Sequence, residues 1–232
     1  MQKISLIIPV YNEEGNISFL LDEIIQTQIF NIINEVILID DFSSDKSIEK
    51  IEQYSKKIDK IILLKHSKNF GQSKCILTAA RFTSSEILVT LDADCQNNPN
   101  DIKKLLDEYI KYDDVKLVGG IRSKRKDNVF KKVSSRTANF IRRIILKDDC
   151  TDTGCSLKVF DRNTFLSLPY FNGIHRFIPA LYKYSNSRNI FIDVDHRLRK
   201  SGESKYGFNN RFYKGIIDMF RVKKIIKMIR NK

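Results

Sequence analysis

Apolar residues form four short runs within residues 1–91, and polar residues follow each run. The runs lie at residues 3–10, 35–41, 60–64 and 87–91. Continuous apolar runs without alternation are typical of strands that are buried on both faces of a sheet. The first three runs are followed by segments with helical spacing of apolar residues, at about residues 17–29, 45–54 and 72–82. The pattern predicts strand, loop and helix in repeated order.

This repeated order favours an α/β fold with a mostly parallel sheet and helices on both of its faces. Ligands of such sheets bind beyond the carboxyl ends of the strands. Polar residues stand at three of these predicted ends, at positions 11–13, 40–41 and 92–94. We therefore expect them to meet in one crevice. Asp40 and Asp41 also fit a strand-to-helix turn with local capping.

The clearest candidate chemistry is carried by Asp92, Asp94 and Gln96, which follow the fourth run. The two carboxylates share one face if the strand continues, and can converge on one ion if the strand ends in a loop. Two carboxylates beside an amide suit Mg²⁺ or Mn²⁺ that also holds a diphosphate. Taken alone, the pattern also fits an ordinary polar strand end. The chain has no GxGxxG or Walker pattern, which disfavours a Rossmann dehydrogenase and a P-loop kinase.

Composition is that of a globular protein, with 232 residues, 42% hydrophobic and 30% charged. The length suits one α/β domain, alone or with an appendage. No apolar run is long enough to span a bilayer, and no cleavable signal precedes the first predicted strand, so we expect a cytosolic protein. The four cysteines lack CxxC spacing and are expected to be reduced thiols that hold no zinc.

Charge is divided unevenly along the chain. Residues 1–115 hold 13 Lys and Arg against 19 Asp and Glu, whereas residues 116–232 hold 28 against 9. An acidic half with metal ligands and a basic half suit a metal-assisted reaction between phosphorylated molecules at an anionic surface. Nucleic acid is the competing partner for the basic half. Because no RNP pattern, zinc finger or helix-turn-helix signature accompanies the charge, we expect no nucleic-acid partner.

Several motifs together resemble a known family. The sequences IPVYNEE at 8–14, IDDFS at 39–43, NFG at 69–71 and DADCQ at 92–96 are similar, in order and spacing, to the nucleotide-sugar domain of GT-A glycosyltransferases of family 2. In the second half, GIR at 120–122, SSRTAN at 134–139, DTGCSLK at 152–158 and RKSGESKY at 199–206 resemble dolichol- and polyprenyl-phosphate sugar synthases. The resemblance extends to about residue 210. It implies a GT-A, Rossmann-like sheet over residues 1–207.

The resemblance also implies roles for individual residues. Those expected to line the nucleotide are Pro9, Tyr11, Glu13, Ile39 and Asp41. Those expected to hold the metal and diphosphate are Asp92, Ala93, Asp94 and Gln96, with Asp92, Asp94 and Gln96 as metal ligands. Arg199 and Lys205 are expected to close over the donor diphosphate. The residues expected to receive the acceptor phosphate are Arg122, Lys131 and Ser135.

A phosphate acceptor is already an oxyanion, so the resemblance requires no strong general base. The histidines are accordingly expected to be structural or to contact substrate: His66, His175 and His196. Asp152 could contact sugar hydroxyls or orient the acceptor, and it also fits a loop carboxylate that binds its own backbone. The sequence around His175 differs from that of eukaryotic dolichol-phosphate mannose synthases, which leaves the donor open between UDP- and GDP-linked sugars.

Residues 208–232 form a basic segment with eight Lys and Arg and a single acid, Asp218. An apolar helical face is predicted from the spacing of Phe212, Ile216, Met219, Phe220, Ile226 and Ile229. A basic amphipathic helix of this kind favours contact with an anionic membrane surface. The alternative is a helix that docks on the protein core and leaves its basic face in solvent.

The sequence therefore predicts a metal-dependent, inverting glycosyltransferase. It would move a sugar from a nucleotide donor to polyprenyl phosphate, as a peripheral protein on the cytoplasmic face of the cell membrane. A membrane-protein partner or a homo-oligomer is compatible with this expectation. One alternative is a family-2 transferase that acts on a hydroxyl of a polysaccharide or protein and needs a base. Another is a non-catalytic basic module that binds membrane or nucleic acid.

Overall fold

A seven-stranded sheet forms the centre of the computed structural model, which describes residues 2–122, 142–185, 187–199 and 208–230, with side chains in the last range at 215 and 217–230. The strands are β1 (Ile4–Val10), β2 (Glu35–Asp40), β3 (Ile61–Lys65), β4 (Ile87–Thr90), β5 (Val115–Arg122), β6 (Lys158–Asp161) and β7 (Arg188–Val194). Their order across the sheet is β3-β2-β1-β4-β6-β5-β7. Lys131, Ser135 and Lys205 lie outside the described residues.

The sheet is mostly parallel, as predicted. The pairs β1 with β2, β1 with β4, β2 with β3 and β5 with β7 are parallel, and β6 runs antiparallel to both of its neighbours. Val10 pairs with Asp40, and Ile7 pairs with Thr90 on the other side of β1. The carboxyl ends of β2, β1 and β4 therefore lie side by side at one edge of the sheet.

Helices cover both faces of this sheet. They are α1 (Glu14–Gln26), α2 (Ile29–Ile32), α3 (Ser47–Ser55), α4 (Gln72–Phe82), α5 (Asp101–Ile110), α6 (Arg162–Ser167), α7 (Ile178–Lys183) and α8 (Phe208–Arg230), with a 3₁₀ turn at Ile174–Arg176. Alternate residues of β1 enter opposite cores: Leu6 packs in the cluster that contains Leu20, and Ile7 in the cluster that contains Ile76. Burial on both faces explains why the strands have no polar alternation.

The end of the described chain, α8, is docked against the protein. Val222, Ile225 and Ile226 are buried in the same cluster as α4. The buried carboxylate of Asp218 accepts a hydrogen bond from Arg176 at 2.8 Å. Met219 and Ile229, from the predicted apolar face, also pack against this cluster. The alternative of a docked helix is therefore what the structure shows for this face.

One member of the predicted face was placed wrongly. Phe220 is 63% exposed and lies with exposed Ile217 and Met228 on the solvent side of α8. The error arises because a helix of this composition has apolar residues on more than one side, so spacing alone cannot decide which side docks. The division of the chain at residue 207 stays a prediction, since residues 200–207 lie outside the described ranges.

We predict that Ile225→Ala lowers the free energy of unfolding by about 2–4 kcal/mol, because it leaves a cavity under α8. Ile217→Ala, on the same helix at an exposed position, should change it by less than about 0.5 kcal/mol. Urea denaturation of both variants measures the difference. Equal effects would contradict a docked α8.

Candidate active site

A cleft lies at the carboxyl ends of β1, β2 and β4. The sequence-predicted residues that line it are Pro9, Tyr11, Glu13, Asp41, Asp92, Ala93, Asp94, Gln96 and Arg199. Parallel pairing of the three strands brings the first eight together, and the segment after β7 delivers Arg199. The arrangement gathers at least four carboxylates and one guanidinium around one space. Their functional roles stay predictions.

The segment with Asp92 and Asp94 leaves the sheet before it reaches the carboxylates. β4 ends at Thr90, and Cys95 adopts a left-handed conformation with φ of 60°. The turn directs the backbone N–H of Gln96 to Asp94 Oδ1 at 3.1 Å. Of the two geometries open from the sequence, the loop that lets both carboxylates converge is the one observed.

Each of these two carboxylates has a protein donor within hydrogen-bond distance. Gln72 Nε2, in the first turn of α4, donates to Asp92 Oδ1 at 2.8 Å. Arg199 Nη2 donates to Asp94 Oδ2 at 2.8 Å. Both donors line the cleft. The acidic pair is thus held by one neutral and one cationic side chain.

Asp92 is an unfavourable place for a negative charge. Burial is the main cause that raises the pKa of Asp92 to about 6, and the charge of Asp94 raises it further. A hydrogen bond from Ser156 and the charges of Lys158 and Arg122 act in the opposite direction. Burial alone would lower the pKa of the Arg199 guanidinium. The hydrogen bond and the charge of Asp94 raise that pKa, and the net result is a pKa above the ordinary value.

Sequence reasoning missed two of these contacts. Gln72 follows directly after the NFG motif and begins α4. This position next to a motif was the sequence signal that could have identified Gln72 as a residue of the cleft. Lys158 is buried in β6 opposite Thr90, and its ammonium donates to the carbonyl of Cys155. Lys158 ends the DTGCSLK motif, but its proximity to Asp92 has no sequence signal, because it depends on β6 pairing with β4.

Asp41 is held by a network of hydrogen bonds behind the cleft. Its Oδ1 accepts from the backbone N–H of Phe70 at 2.9 Å, and its Oδ2 from that of Gly71 at 2.7 Å. His66 Nδ1 lies 2.7 Å from Asp41 Oδ1, and His66 Nε2 lies 2.9 Å from the hydroxyl of Thr78. Gly71 has φ of 86°, which favours glycine at this turn.

The same network contains ligand atoms that could hold a metal ion. Within the part of the chain that the structure describes, atoms of Asp41, His66 and Cys75 lie within 4.8 Å of one another. Burial raises the pKa of the Cys75 thiol, which opposes the thiolate that a metal would bind. Because Asp41 and His66 already have hydrogen-bond partners, we interpret this group as a support for Asp41.

Arg122 and Asp152, which were assigned separate roles, form an ion pair with each other. Arg122 Nε and Nη2 donate to Asp152 Oδ2 and Oδ1 at 2.7 and 2.8 Å. A Cβ at Gly154, which lines the cleft, would lie 2.6 Å from Arg122 Nη2. Glycine at this position therefore lets the guanidinium lie directly behind the cleft wall.

Three other candidates lie away from the cleft. Ile39 is fully buried in the cluster beneath it, so the expectation that this side chain lines the nucleotide is wrong: in β2 it faces the core. His175 Nδ1 lies 2.6 Å from the hydroxyl of Ser73, which also accepts from the backbone N–H of Gly173. His196 is buried beside Asn97, with which its backbone forms a bridge.

The donor set at the front of the cleft fits a hard divalent cation. Asp92 and Asp94 offer carboxylate oxygens, and Gln96 offers an amide oxygen. Gln96 Nε2 donates to the carbonyl of Arg197 at 3.3 Å, so the amide oxygen is the atom of this side chain that could serve as a ligand. Oxygen ligands of this kind suit Mg²⁺ or Mn²⁺.

Comparison with known proteins decides the family. The sequence profile described as Glycosyl transferase family 2 matches residues 5–167, which contain the whole acidic side of the cleft. The chain belongs to glycosyl transferase family 2. This family-2 chain is 33% identical over 210 residues to the undecaprenyl-phosphate 4-deoxy-4-formamido-L-arabinose transferase of Pectobacterium carotovorum subsp. carotovorum (strain PC1). The alignment covers 90% of the chain and 64% of that relative.

A second relative bears the same name. The transferase of Yersinia pestis (strain Pestoides F) is 32% identical over 208 residues, with 89% of this chain and 63% of the relative covered. The family-2 chain thus spans less than two thirds of the length of these curated relatives.

Solved structures confirm the GT-A type of fold. The glucosyl-3-phosphoglycerate synthase of Mycobacterium tuberculosis, in complex with Mn²⁺, UDP and phosphoglyceric acid, superimposes with a TM-score of 0.72 at 15% identity. The match covers 96% of the family-2 chain and 78% of the synthase. A complex of the same synthase with Mg²⁺ and UDP also gives a TM-score of 0.72. At this identity the likeness shows the fold alone.

Within the described ranges of the family-2 chain, no helix is both long enough and apolar enough to cross a bilayer.

We predict that Asp92→Asn raises the melting temperature of the metal-free protein at pH 7.5 by about 2–6 °C, because it removes a disfavoured charge. The pKa of Asp92 in the folded protein, about 6, lies above the ordinary carboxyl value. Wild-type stability therefore falls as pH rises from the ordinary carboxyl pKa to about 6, and the advantage of the variant should be clearly smaller at pH 4.5 than at pH 7.5.

Thermal melts in EDTA at both pH values measure this effect. Asp107→Asn, at an exposed carboxylate on α5, is the matched control and should change little. An unchanged or lower melting temperature for Asp92→Asn at pH 7.5 would mean that Asp92 is well accommodated as an anion.

Proposed function

We propose that the chain is a metal-dependent, inverting glycosyltransferase that moves a sugar from a UDP- or GDP-linked donor to polyprenyl phosphate. The observation that carries the proposal is the cleft in which Asp92 and Asp94 face Arg199. An acidic pair for a metal beside a guanidinium is the arrangement that a metal-bound diphosphate requires. The relatives named undecaprenyl-phosphate transferases support the choice of acceptor.

On the donor side, Asp92, Asp94 and Gln96 would hold Mg²⁺ or Mn²⁺. Either ion, when bound, would offset the negative charge of the diphosphate and of the departing nucleoside diphosphate. Asp41, fixed by Phe70, Gly71 and His66, would accept a hydrogen bond from the nucleoside. Tyr11 and Glu13 would line the same part of the cleft, with Arg199 and Lys205 near the phosphates.

In the reaction, an oxygen of the acceptor phosphate attacks the anomeric carbon. A new carbon–oxygen bond forms as the bond to the donor diphosphate breaks, and the nucleoside diphosphate leaves with that electron pair, which inverts the anomeric centre. Since the attacking oxygen is already an anion, no proton has to be removed from it. Stabilisation of the leaving group is then the main electrostatic task.

On the acceptor side, Arg122, Lys131 and Ser135 would receive the lipid phosphate. Arg122 lies behind the cleft wall at Gly154 and is only 14% exposed as a side chain. Asp152 holds that guanidinium through both carboxylate oxygens. We infer that Asp152 orients Arg122 rather than acting as a general base, because both of its oxygens already accept strong hydrogen bonds.

Attachment at the cytoplasmic face of the cell membrane would bring the enzyme to its lipid acceptor. The exposed side of α8 combines apolar Ile217, Phe220 and Met228 with cations. The exposed cations are Arg221, Lys223, Lys224, Lys227 and Arg230. Each cation near an anionic surface contributes about 1 kcal/mol. A membrane-protein partner or a second copy of the chain would serve the same purpose.

We predict that purified protein with Mn²⁺ forms a lipid-phosphate sugar from a short polyprenyl phosphate and one member of a panel of UDP- and GDP-sugars. The panel should include donors of 4-deoxy-4-formamido-L-arabinose. Mass spectrometry of the lipid phase detects the product. Asp94→Asn should lower the rate at least ~100-fold, since one metal ligand is lost, whereas Asp107→Asn should not.

Release of nucleoside diphosphate without a modified lipid would move the acceptor to a hydroxyl compound. No turnover with any donor would contradict enzymatic function and favour a binding module.

We predict that Asp152→Asn lowers the rate of transfer by less than ~30-fold, because the amide oxygen still accepts from Arg122. A general base would contribute ~100- to 10,000-fold, and its loss would remove that contribution. Rates of Asp152→Asn from pH 6 to pH 9 provide the measurement. A loss of more than ~100-fold together with a changed pH profile would assign Asp152 as a base for a hydroxyl acceptor.

A further inference from the structure

Both oxygens of Asp94 accept hydrogen bonds from within the protein. Oδ1 accepts from the backbone N–H of Gln96 at 3.1 Å, within its own turn. Oδ2 accepts from Arg199 Nη2 at 2.8 Å. The side chains are only 11% and 25% exposed, so solvent screens this pair weakly. Asp94, which lines the cleft, is thus already paired with a cation through Oδ2.

The position of Arg199 is electrostatically specific. Besides its hydrogen bond to Asp94, its guanidinium interacts with the charges of Glu13 and Asp92. These three carboxylates line the same cleft as Arg199. Without a cation among them, they would repel one another in a space with little water. Arg199 is therefore the counter-ion of the acidic group in this state.

A divalent cation that binds Asp94 must compete with this guanidinium. Two cations that share one carboxylate oxygen would lie about 4 Å apart, where like charges repel strongly at the low polarity of a cleft. The guanidinium, once displaced, remains on the same side of the cleft, where a diphosphate offers it two oxygens in a suitable geometry. One binding event therefore frees the group that the next one needs.

We propose that Arg199 is the resident counter-ion of Asp94, and that the divalent cation displaces it and so releases it to bind the donor diphosphate. This inference rests on the proposed function, because it takes the metal and the diphosphate from there. It assigns Arg199 two successive partners, Asp94 and then phosphate. It also makes metal and donor binding mutually dependent, since each favours the same exchange.

The exchange has a measurable signature in metal affinity. Competition from Arg199 weakens metal binding in the absence of nucleotide, and a diphosphate that captures the guanidinium restores it. An ion pair with a purely structural role would show neither effect. Arg197 provides the comparison: it lies two residues earlier and pairs with Glu23 at 2.6 Å, with a side chain 33% exposed.

The test is a titration of the full chain with Mn²⁺, in the presence and in the absence of UDP or GDP. Electron paramagnetic resonance measures the free and bound Mn²⁺ at each point. Without nucleotide, Arg199→Gln should bind Mn²⁺ about tenfold more tightly than wild type, since a competing cation is gone. In wild type, nucleotide should increase the affinity for Mn²⁺, and in Arg199→Gln this factor of increase should be about tenfold smaller. Arg197→Gln should change neither quantity, and circular dichroism verifies that each variant is folded.

Equal or weaker Mn²⁺ binding by Arg199→Gln without nucleotide would overturn the exchange, even if the wild type transfers sugar. If the variant does not fold, the wild type supplies the decision through ¹⁵N resonances of arginine side chains in saturating Mg²⁺. A resonance that changes to the frequency of a solvated guanidinium supports displacement, and arginine resonances that all stay constant overturn it. Failure of the proposed function is separate, because it would appear as no lipid product in the transfer assay.

Discussion

The accumulation of carboxylates at one edge of the sheet is the constraint on which the cleft depends. Parallel pairing of β1, β2 and β4 forces the residues after each strand to meet, and the sequence places acids at all three of these ends. Such a group is stable only if each charge has a partner. Backbone amides and His66 serve Asp41, Gln72 serves Asp92, and Arg199 serves Asp94. The charge balance within the cleft and its suitability for a cationic ligand thus have one cause.

The two halves of the chain divide this task. The acidic first half supplies the carboxylates of the cleft, and cations that balance them come from the second half: Arg199 on Asp94, with Lys158 and Arg122 near Asp92. β6 inserts antiparallel between β4 and β5, which places Lys158 opposite Thr90 and the Asp152 loop beside the cleft. Sheet order therefore places cations of the basic half beside the carboxylates of the acidic half.

Sequence patterns were sufficient for the first half of the fold. The four apolar runs all became strands, with bounds that differ by at most one residue, because continuous burial leaves a strong local signal. β5, β6 and β7 were not predicted, since their segments mix apolar residues with charged residues or glycine and have no such signal, and their places depend on pairing across the sheet. The acidic cleft followed from the strand ends alone. The Arg122 and Asp152 pair, and the contacts of Gln72 and Lys158, required tertiary structure, because no spacing rule relates residues 20 or more positions apart.

Dependence of nucleotide binding on a divalent cation tests the central claim most directly: that the acidic cleft is built for a metal-bound diphosphate. Calorimetric titration of UDP and GDP into the protein, in Mn²⁺ and in EDTA, gives both affinities. The cleft described here predicts binding of at least one nucleotide in Mn²⁺ that weakens at least ~10-fold in EDTA, since the carboxylates would then repel the phosphates. Equal affinity in both buffers, or no binding of either nucleotide, would contradict it.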